Sequence, residues 1–405
     1  MKLTLYLQQN TTQYLNMKNI KVKLYLILFA LSAFRFLPYA SELPLYISKG
    51  EEDLNNKPLK EIVEKYYTKF YLGTANHAKV LGRLSGEIAD REFNYITPSN
   101  DFKQTYIHPT FNQWQWEYPD LWIEHTGRTG QLLRLHSPIS PQCSKWVKED
   151  NRTAEELSRM LDEYLTQLCV RYAHQPQVRW MDVVNETIAP KDITDPLGNI
   201  KAGDWFAPRE GTDKWENPWT ILGFDESHDL HVPLYIDRAF EITNQYAPRV
   251  KQIINQHGAF EEVVWEKMKE LVHYLRETKG RRVDGIGWQA HIDAGWEKVP
   301  GNLERLEAFI RWCHANHLEF HITEMNVWLK DGERTRLDEQ AETFGKVLEV
   351  LLANRTTGVV GLNFWNVRDE DTANPQWIGA LWNNDGTPKP AYHRIKQELI
   401  NYRDK

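Results

Sequence analysis

Eight short β-rich runs alternate with stretches of helical periodicity through most of this chain, and that alternation constrains the fold more than any other feature. The runs are Phe70–Ala75, Phe93–Thr97, Gln131–Leu135, Val178–Val184, Lys251–Gln256, Val283–Trp288, Leu318–Thr323 and Val359–Trp365. Strands separated by helices lie parallel, because each helix carries the chain back to the edge where it started. Eight such units close on themselves, so the expected architecture is α/β, a (β/α)8 TIM barrel.

The intervening stretches have the apolar faces such a barrel needs. Leu157, Met160, Leu161, Tyr164, Leu165 and Leu168 recur at helical spacing behind an Asn151/Thr153 start. Similar periodicities run through Val263–Leu275, Leu303–Trp312 and Phe344–Leu352. No Pro-, Ser- or Gly-rich linker and no internal repeat divides residues 55–402, which predicts one domain there. Within it, Pro190–Val232 reads as an enlarged loop after the fourth strand, on the face where such barrels carry their sites. Upstream, Lys18, Lys21 and Lys23 precede an apolar run from Leu24 to Ala40, the order of the charged and apolar regions of a secretory signal. Residues 1–40 are therefore set apart as an extension and signal peptide, with Met17 as an alternative start. Arg35 argues against a membrane-spanning helix, and export, periplasmic or secreted, is the expected fate.

Composition narrows function mainly by exclusion. The net charge of -7 is spread without long single-sign blocks, which gives nucleic acid no electrostatic footing. Cys143, Cys169 and Cys313 lie far apart with no CxxC spacing, so neither a zinc site nor a disulfide framework is indicated, and free buried thiols are expected. The 16 Trp and 18 Tyr supply flat amphipathic rings, which serve core packing and also suit the C–H faces and hydroxyl edges of sugars.

Two carboxylates directly follow strand runs, Glu186 after the fourth and Glu324 after the seventh. In a closed parallel barrel both strands end at the same rim, facing one another over the mouth. Glycoside hydrolysis needs such a pair: one acid to protonate the leaving oxygen, one carboxylate to attack or to activate water. A separation near ~5 Å gives retention of anomeric configuration, and a wider gap gives inversion.

Trp180–Ile188 (WMDVVNETI) resembles the acid/base motif of glycoside hydrolase family 10, the main family of endo-β-1,4-xylanases, and His321–Val327 (HITEMNV) resembles its nucleophile motif. Phe70–Ala75 with Phe93–Pro98 is similar to the family's opening strands, Gly285–His291 to its sixth and Phe364–Val367 to its eighth, in the right order across residues 60–400. The resemblance implies a retaining endo-β-1,4-xylanase acting through a covalent glycosyl-enzyme, with Glu186 as general acid/base and Glu324 as nucleophile. Glu324 should then be held at low pKa, and Glu186 raised, partly by its charged neighbour. By the same resemblance Asn185 bonds the 2-hydroxyl of the sugar being cleaved, while Gln289 and His291 support the nucleophile. Asn100 and Lys103 match an element that binds one sugar further toward the non-reducing end, His136 matches the third-strand histidine, and Trp365 the aromatic floor. No metal or organic cofactor is implied. The partner is a xylan-like polysaccharide, and a monomer is expected.

Several positions depart from the family pattern. Ser99 stands where the family has Glu before Asn100, Gln131 and Leu135 where it has His and Trp on the third strand, and Asn326 where an Asp pairs with the histidine mapped to His291. Asn255-Gln256-His257 keeps the Asn of the fifth-strand element and loses its acidic partner. The glutamates are untouched, so the alternative is the same retaining chemistry on a decorated, mixed-linkage or other β-glycan. A barrel that merely bound carbohydrate would need neither glutamate.

Overall fold

The computed structural model describes residues 53–149, 152–191, 201–206 and 217–404. The expected signal peptide and parts of the Pro190–Val232 segment lie outside them. Eight strands form a closed parallel barrel: β1 Phe70–Ala75, β2 Tyr95–Thr97, β3 Leu132–Leu135, β4 Val178–Asn185, β5 Lys251–Gln256, β6 Gly285–Trp288, β7 Glu319–Trp328 and β8 Val360–Phe364. Each pairs with the next, and β8 closes on β1 in the register Phe70↔Val360 to Thr74↔Phe364. Helices α1 Leu84–Glu92, α2 Glu117–Thr129, α3 Ala154–Tyr172, α4 Leu234–Tyr246, α5 Glu262–His273, α6 Asn302–Ala315 and α7 Leu337–Asn354 connect consecutive strands, and α8 Pro390–Asn401 follows β8. A short extra strand, His291–Asp293, adds to the upper part of β7.

Local chemistry sets the boundaries. Thr153 caps α3 by accepting from the Glu156 amide while the Glu156 carboxylate accepts from the Thr153 amide, a reciprocal cap worth about 1 kcal/mol. Behind it Leu157, Leu161, Tyr164, Leu165 and Leu168 are buried. Strand β2 is shorter than the sequence pattern implies; just before it the Asn94 amide donates to the Leu72 carbonyl at 3.1 Å and the Asn94 side chain accepts from the Leu72 amide at 3.0 Å. Cys143, Cys169 and Cys313 are free and buried.

The barrel interior is filled in layers. Tyr95, Trp180 and Ile253 form the floor with Tyr71 and Leu132 packed on them. Gly73 and Gly361 are required there, since a Cβ on either would overlap the Tyr95 or His321 ring. The Trp180 indole donates to Glu319 at 2.8 Å, and His321 Nε2 lies 3.1 Å from the same oxygen. Above this floor the fully buried Arg134 meets the fully buried Asp182, its Nε donating to both oxygens at 3.0 Å and its Nη2 to Oδ1. Burial alone would raise the Asp182 carboxyl, but the Arg134 guanidinium and the His136 ring hold it below its ordinary value. Removing one partner strands a buried charge. Arg134→Met is therefore expected to destabilise the fold by about 3–5 kcal/mol, read as a lower urea midpoint at unchanged slope.

Candidate active site

Glu324 stands within an irregularity of its strand, and Glu186 shortly past one in its own. The register of β4 slips between Asp182 and Val184, and that of β7 between Ile322 and Met325, which re-aims the residues that follow over the barrel mouth. Each of the four even-numbered strands is followed within two residues by a left-handed residue other than glycine: Ser99, Glu186, Ala290 and Asn366. Glu186 has φ 56, a conformation costing about 1–3 kcal/mol that persists only where its surroundings impose it.

Glu324 is 4 % exposed and held on three sides. Its Oε1 accepts from Asn255 Nδ2 at 2.9 Å and lies 3.6 Å from His136 Nε2, while its Oε2 lies 3.4 Å from His291 Nε2. Behind the first histidine stands Asp182, 2.9 Å from His136 Nδ1, and behind the second Asn326, 3.1 Å from His291 Nδ1. Asn326 does what a carboxylate there could not: its Nδ2 donates to the Trp365 carbonyl at 2.8 Å while its oxygen faces the imidazole.

Glu186 is held differently. Its Oε1 accepts from Gln289 Nε2 at 2.8 Å, and its Oε2 faces His257 Nδ1 at 3.5 Å. Asn185 ties the two carboxylates together, because its Oδ1 accepts from Asn255 at 2.9 Å and from Gln289 at 3.2 Å. Four hydrogen bonds thus run from Glu324 through Asn255, Asn185 and Gln289 to Glu186. Among the described residues, Asn185 Nδ2 is a buried donor with no hydrogen-bond acceptor. A buried amide hydrogen in that state is stabilised by a ligand hydroxyl.

The electrostatics confirm one expectation and correct another. Burial would raise Glu324, but the His136 and His291 rings and the Lys103 charge hold it below its ordinary value. Glu186 does not show the rise expected from its negative neighbour. Burial does push it up, yet the charge and hydrogen bond of His257, with help from Lys103 and Gln289, carry it well below the usual carboxylate range.

Lys103 is itself buried, which lowers its pKa against the pull of Glu186, Glu324 and Asp182, and its Nζ donates to Gln142. Asn100 is half-buried in the turn after β2, its carbonyl accepting from the Lys103 amide. The Trp365 ring is partly exposed and meets His136 edge-on, 5.1 Å between centroids. On the other side of His291 a second aromatic wall rises: Trp328 stacks on the imidazole at 5.5 Å with parallel planes, and Trp377 meets Trp328 edge-on at 4.9 Å. Trp382 is core, packed on Phe93 and Tyr392.

Two third-strand positions do not bear on the site. Gln131 sits buried at the start of β3 with its amide donating to the Ala89 and Phe93 carbonyls, and Leu135 points outward into the apolar core. Arg134 and His136 are the inward-facing pair of that strand. The sequence reading missed the Arg134–Asp182–His136 chain; the alternation of Arg134 and His136 about Leu135, beside Asp182 on β4, is the pattern that could have found it. His257 gave no such signal, because its reach to Glu186 depends on the turn that follows β5.

The sequence model described as glycosyl hydrolase family 10 matches residues 59–398. Endo-1,4-beta-xylanase A of Caldicellulosiruptor saccharolyticus is 28% identical over 357 residues, covering 82% of this chain and 94% of that one. Endo-1,4-beta-xylanase B of Thermotoga neapolitana is 25% identical over 365 residues, covering 86% and 93%. Among solved structures, xylanase 10B of Thermotoga petrophila RKU-1 in complex with xylobiose superposes with a TM-score of 0.70 at 25% identity, covering 86% of this chain and 98% of that one. With the barrel closed, two glutamates at its mouth and the family pattern spanning nearly all the described residues, this chain belongs to glycosyl hydrolase family 10 and is a glycoside hydrolase.

Proposed function

We propose that this enzyme is an exported, retaining endo-β-1,4-xylanase. The observation that carries the reading is the unequal treatment of two buried glutamates joined by one hydrogen-bond chain: Glu324 is clamped as a carboxylate between two imidazoles, whereas Glu186 keeps Oε2 for proton exchange. Glu324 attacks the anomeric carbon, and Glu186 protonates the departing oxygen. Water, deprotonated by Glu186, then releases the sugar from the covalent intermediate with overall retention. Asn185 Nδ2 bonds the 2-hydroxyl of the reacting sugar, an interaction that strengthens in the transition state and so contributes to rate. Trp365 covers one sugar face, and Lys103 with Asn100 holds the next unit. The xylan-cleaving names of the relatives support the substrate, and the basic-then-apolar order of residues 18–40 supports export.

Ser99 favours a related reading for substrate scope. Without a carboxylate before Asn100, the non-reducing side grips hydroxyls with fewer charged acceptors, which admits decorated or mixed-linkage chains. The test is product release from β-1,4-xylan, mixed-linkage xylan and cellulose by the enzyme without residues 1–40. Oligosaccharides from β-1,4-xylan support the reading. Inert xylan with glutamate-dependent cleavage of another glycan replaces the substrate, and no turnover on any of them points to a barrel that only binds.

A further inference from the structure

The turn after β5 is built around Glu186. Gln256, fully buried at the end of β5, donates to the Ile188 carbonyl at 2.7 Å and accepts from the Ile188 amide at 3.3 Å, while the Glu186 amide donates to the Asn255 carbonyl at 3.0 Å. These bonds clamp the end of β5 to the segment that carries Glu186. On the far side the Trp288 indole donates to the Gly258 carbonyl at 3.0 Å. His257 lies between these anchors, its side chain 12% exposed, with Nδ1 3.5 Å from Glu186 Oε2. Gln289 donates to Oε1, so a proton on the carboxyl belongs on Oε2, the oxygen that faces the imidazole.

We propose that His257 is a positioning residue that shares one proton with Glu186 and thereby keeps the general acid loaded. This rests on Glu186 being the acid. With one proton between them, the pair exists either as carboxylate with imidazolium or as carboxylic acid with neutral imidazole, and the same proton moves between Nδ1 and Oε2. As the glycosidic bond breaks, the leaving oxygen takes the proton from Oε2 and both groups are left neutral-imidazole and carboxylate. In the second step the proton removed from water returns to the pair. The depression of Glu186 by His257 describes the first of the two arrangements.

Other charges around the pair are Lys103 from the turn after β2, Glu324 and its flanking His136 and His291, Asp182 beneath, and Glu261, whose Oε1 accepts from the Lys191 amide. Among the described residues, His257 is the one that forms an ion pair with Oε2. A proton held by two bases is lost at higher pH than one held by either base alone, so His257 extends activity toward alkaline pH.

The experiment has two arms. In the first, His257→Gln is compared with the parent enzyme in the pH dependence of kcat/KM on a glycoside with a poor leaving group; the basic limb is expected to move toward acid by at least about one pH unit. A uniform loss at every pH, or an unmoved limb, overturns the proposal. The second arm follows the His257 ring by NMR in the parent and in Glu186→Gln, without substrate, and stands whether or not His257→Gln folds. Its titration midpoint is expected to fall by about one unit or more when the carboxylate is removed; an unchanged midpoint overturns the pairing. Turnover of the poor leaving group retained by Glu186→Gln would overturn the acid assignment itself, whereas lost turnover with an unshifted ring overturns only the role of His257.

Discussion

Replacing Glu324 with Ala is expected to lower turnover of xylan by on the order of 10⁵-fold, the scale on which a covalent nucleophile is missed. Among the described residues, no other carboxylate is placed to take its place. Glu186 stands at the leaving-group side, and Asn255, His136 and His291 are arranged to hold an anion and not to attack carbon. The fold is not expected to suffer, because the substitution removes a buried charge whose partners are hydrogen-bonded elsewhere: His136 to Asp182 and His291 to Asn326. A small anion such as azide can enter the space the side chain leaves. Since it attacks from the face Glu324 used and no second displacement follows, an activated aryl β-glycoside is expected to give the α-glycosyl azide. An undiminished rate in a folded variant would remove Glu324 from the mechanism.

The Glu186→Ala variant is expected to separate by leaving group. On xylan, whose departing oxygen needs a proton, the loss is about 10²- to 10⁴-fold, the usual range for a general acid. On an aryl glycoside with a leaving group stable as the anion, formation of the glycosyl-enzyme proceeds almost undiminished, because Glu324 still attacks. Hydrolysis of the intermediate then stalls for want of a base, so a burst of released phenol is followed by a slow phase. Azide, which needs no deprotonation, ends the stall and gives the β-glycosyl azide, opposite in configuration to the product of the Glu324 variant. Burst-phase absorbance and NMR of the azide products check both halves. Equal losses on good and poor leaving groups would show that Glu186 acts in some way other than proton transfer.

The barrel was legible because its evidence is local: runs at strand length, separated by helical faces such as Leu157–Leu168, with Thr153 as the start signal. The misreadings came where a partner far along the chain decides. Strand β7 continues to Trp328, past the expected end at Thr323, because His291–Asp293 pairs with Asn326–Trp328. Glu186 and Glu324 are visible in the sequence because each directly follows a strand run, whereas Asn185, Gln289, His136 and His291 came from the family resemblance, and the structure brings all six together. Their electrostatics were not visible in the sequence. The expected rise of Glu186 assumed that Glu324 was its dominant neighbour, whereas His257, seventy-one residues along, is the charge that faces it. Gln131 and Leu135 depart from the family pattern, yet neither reaches the site, because the alternation of β3 turns Arg134 and His136 inward.

A two-step displacement on β-1,4-xylan can be seen in the anomeric protons of newly released reducing ends, followed by NMR during the first minutes of xylan hydrolysis. The β-anomer is expected to appear first and the α-anomer only later, at the rate of mutarotation. The α-anomer appearing first would mean a single displacement with inversion and would contradict the assignment of Glu324 as a nucleophile.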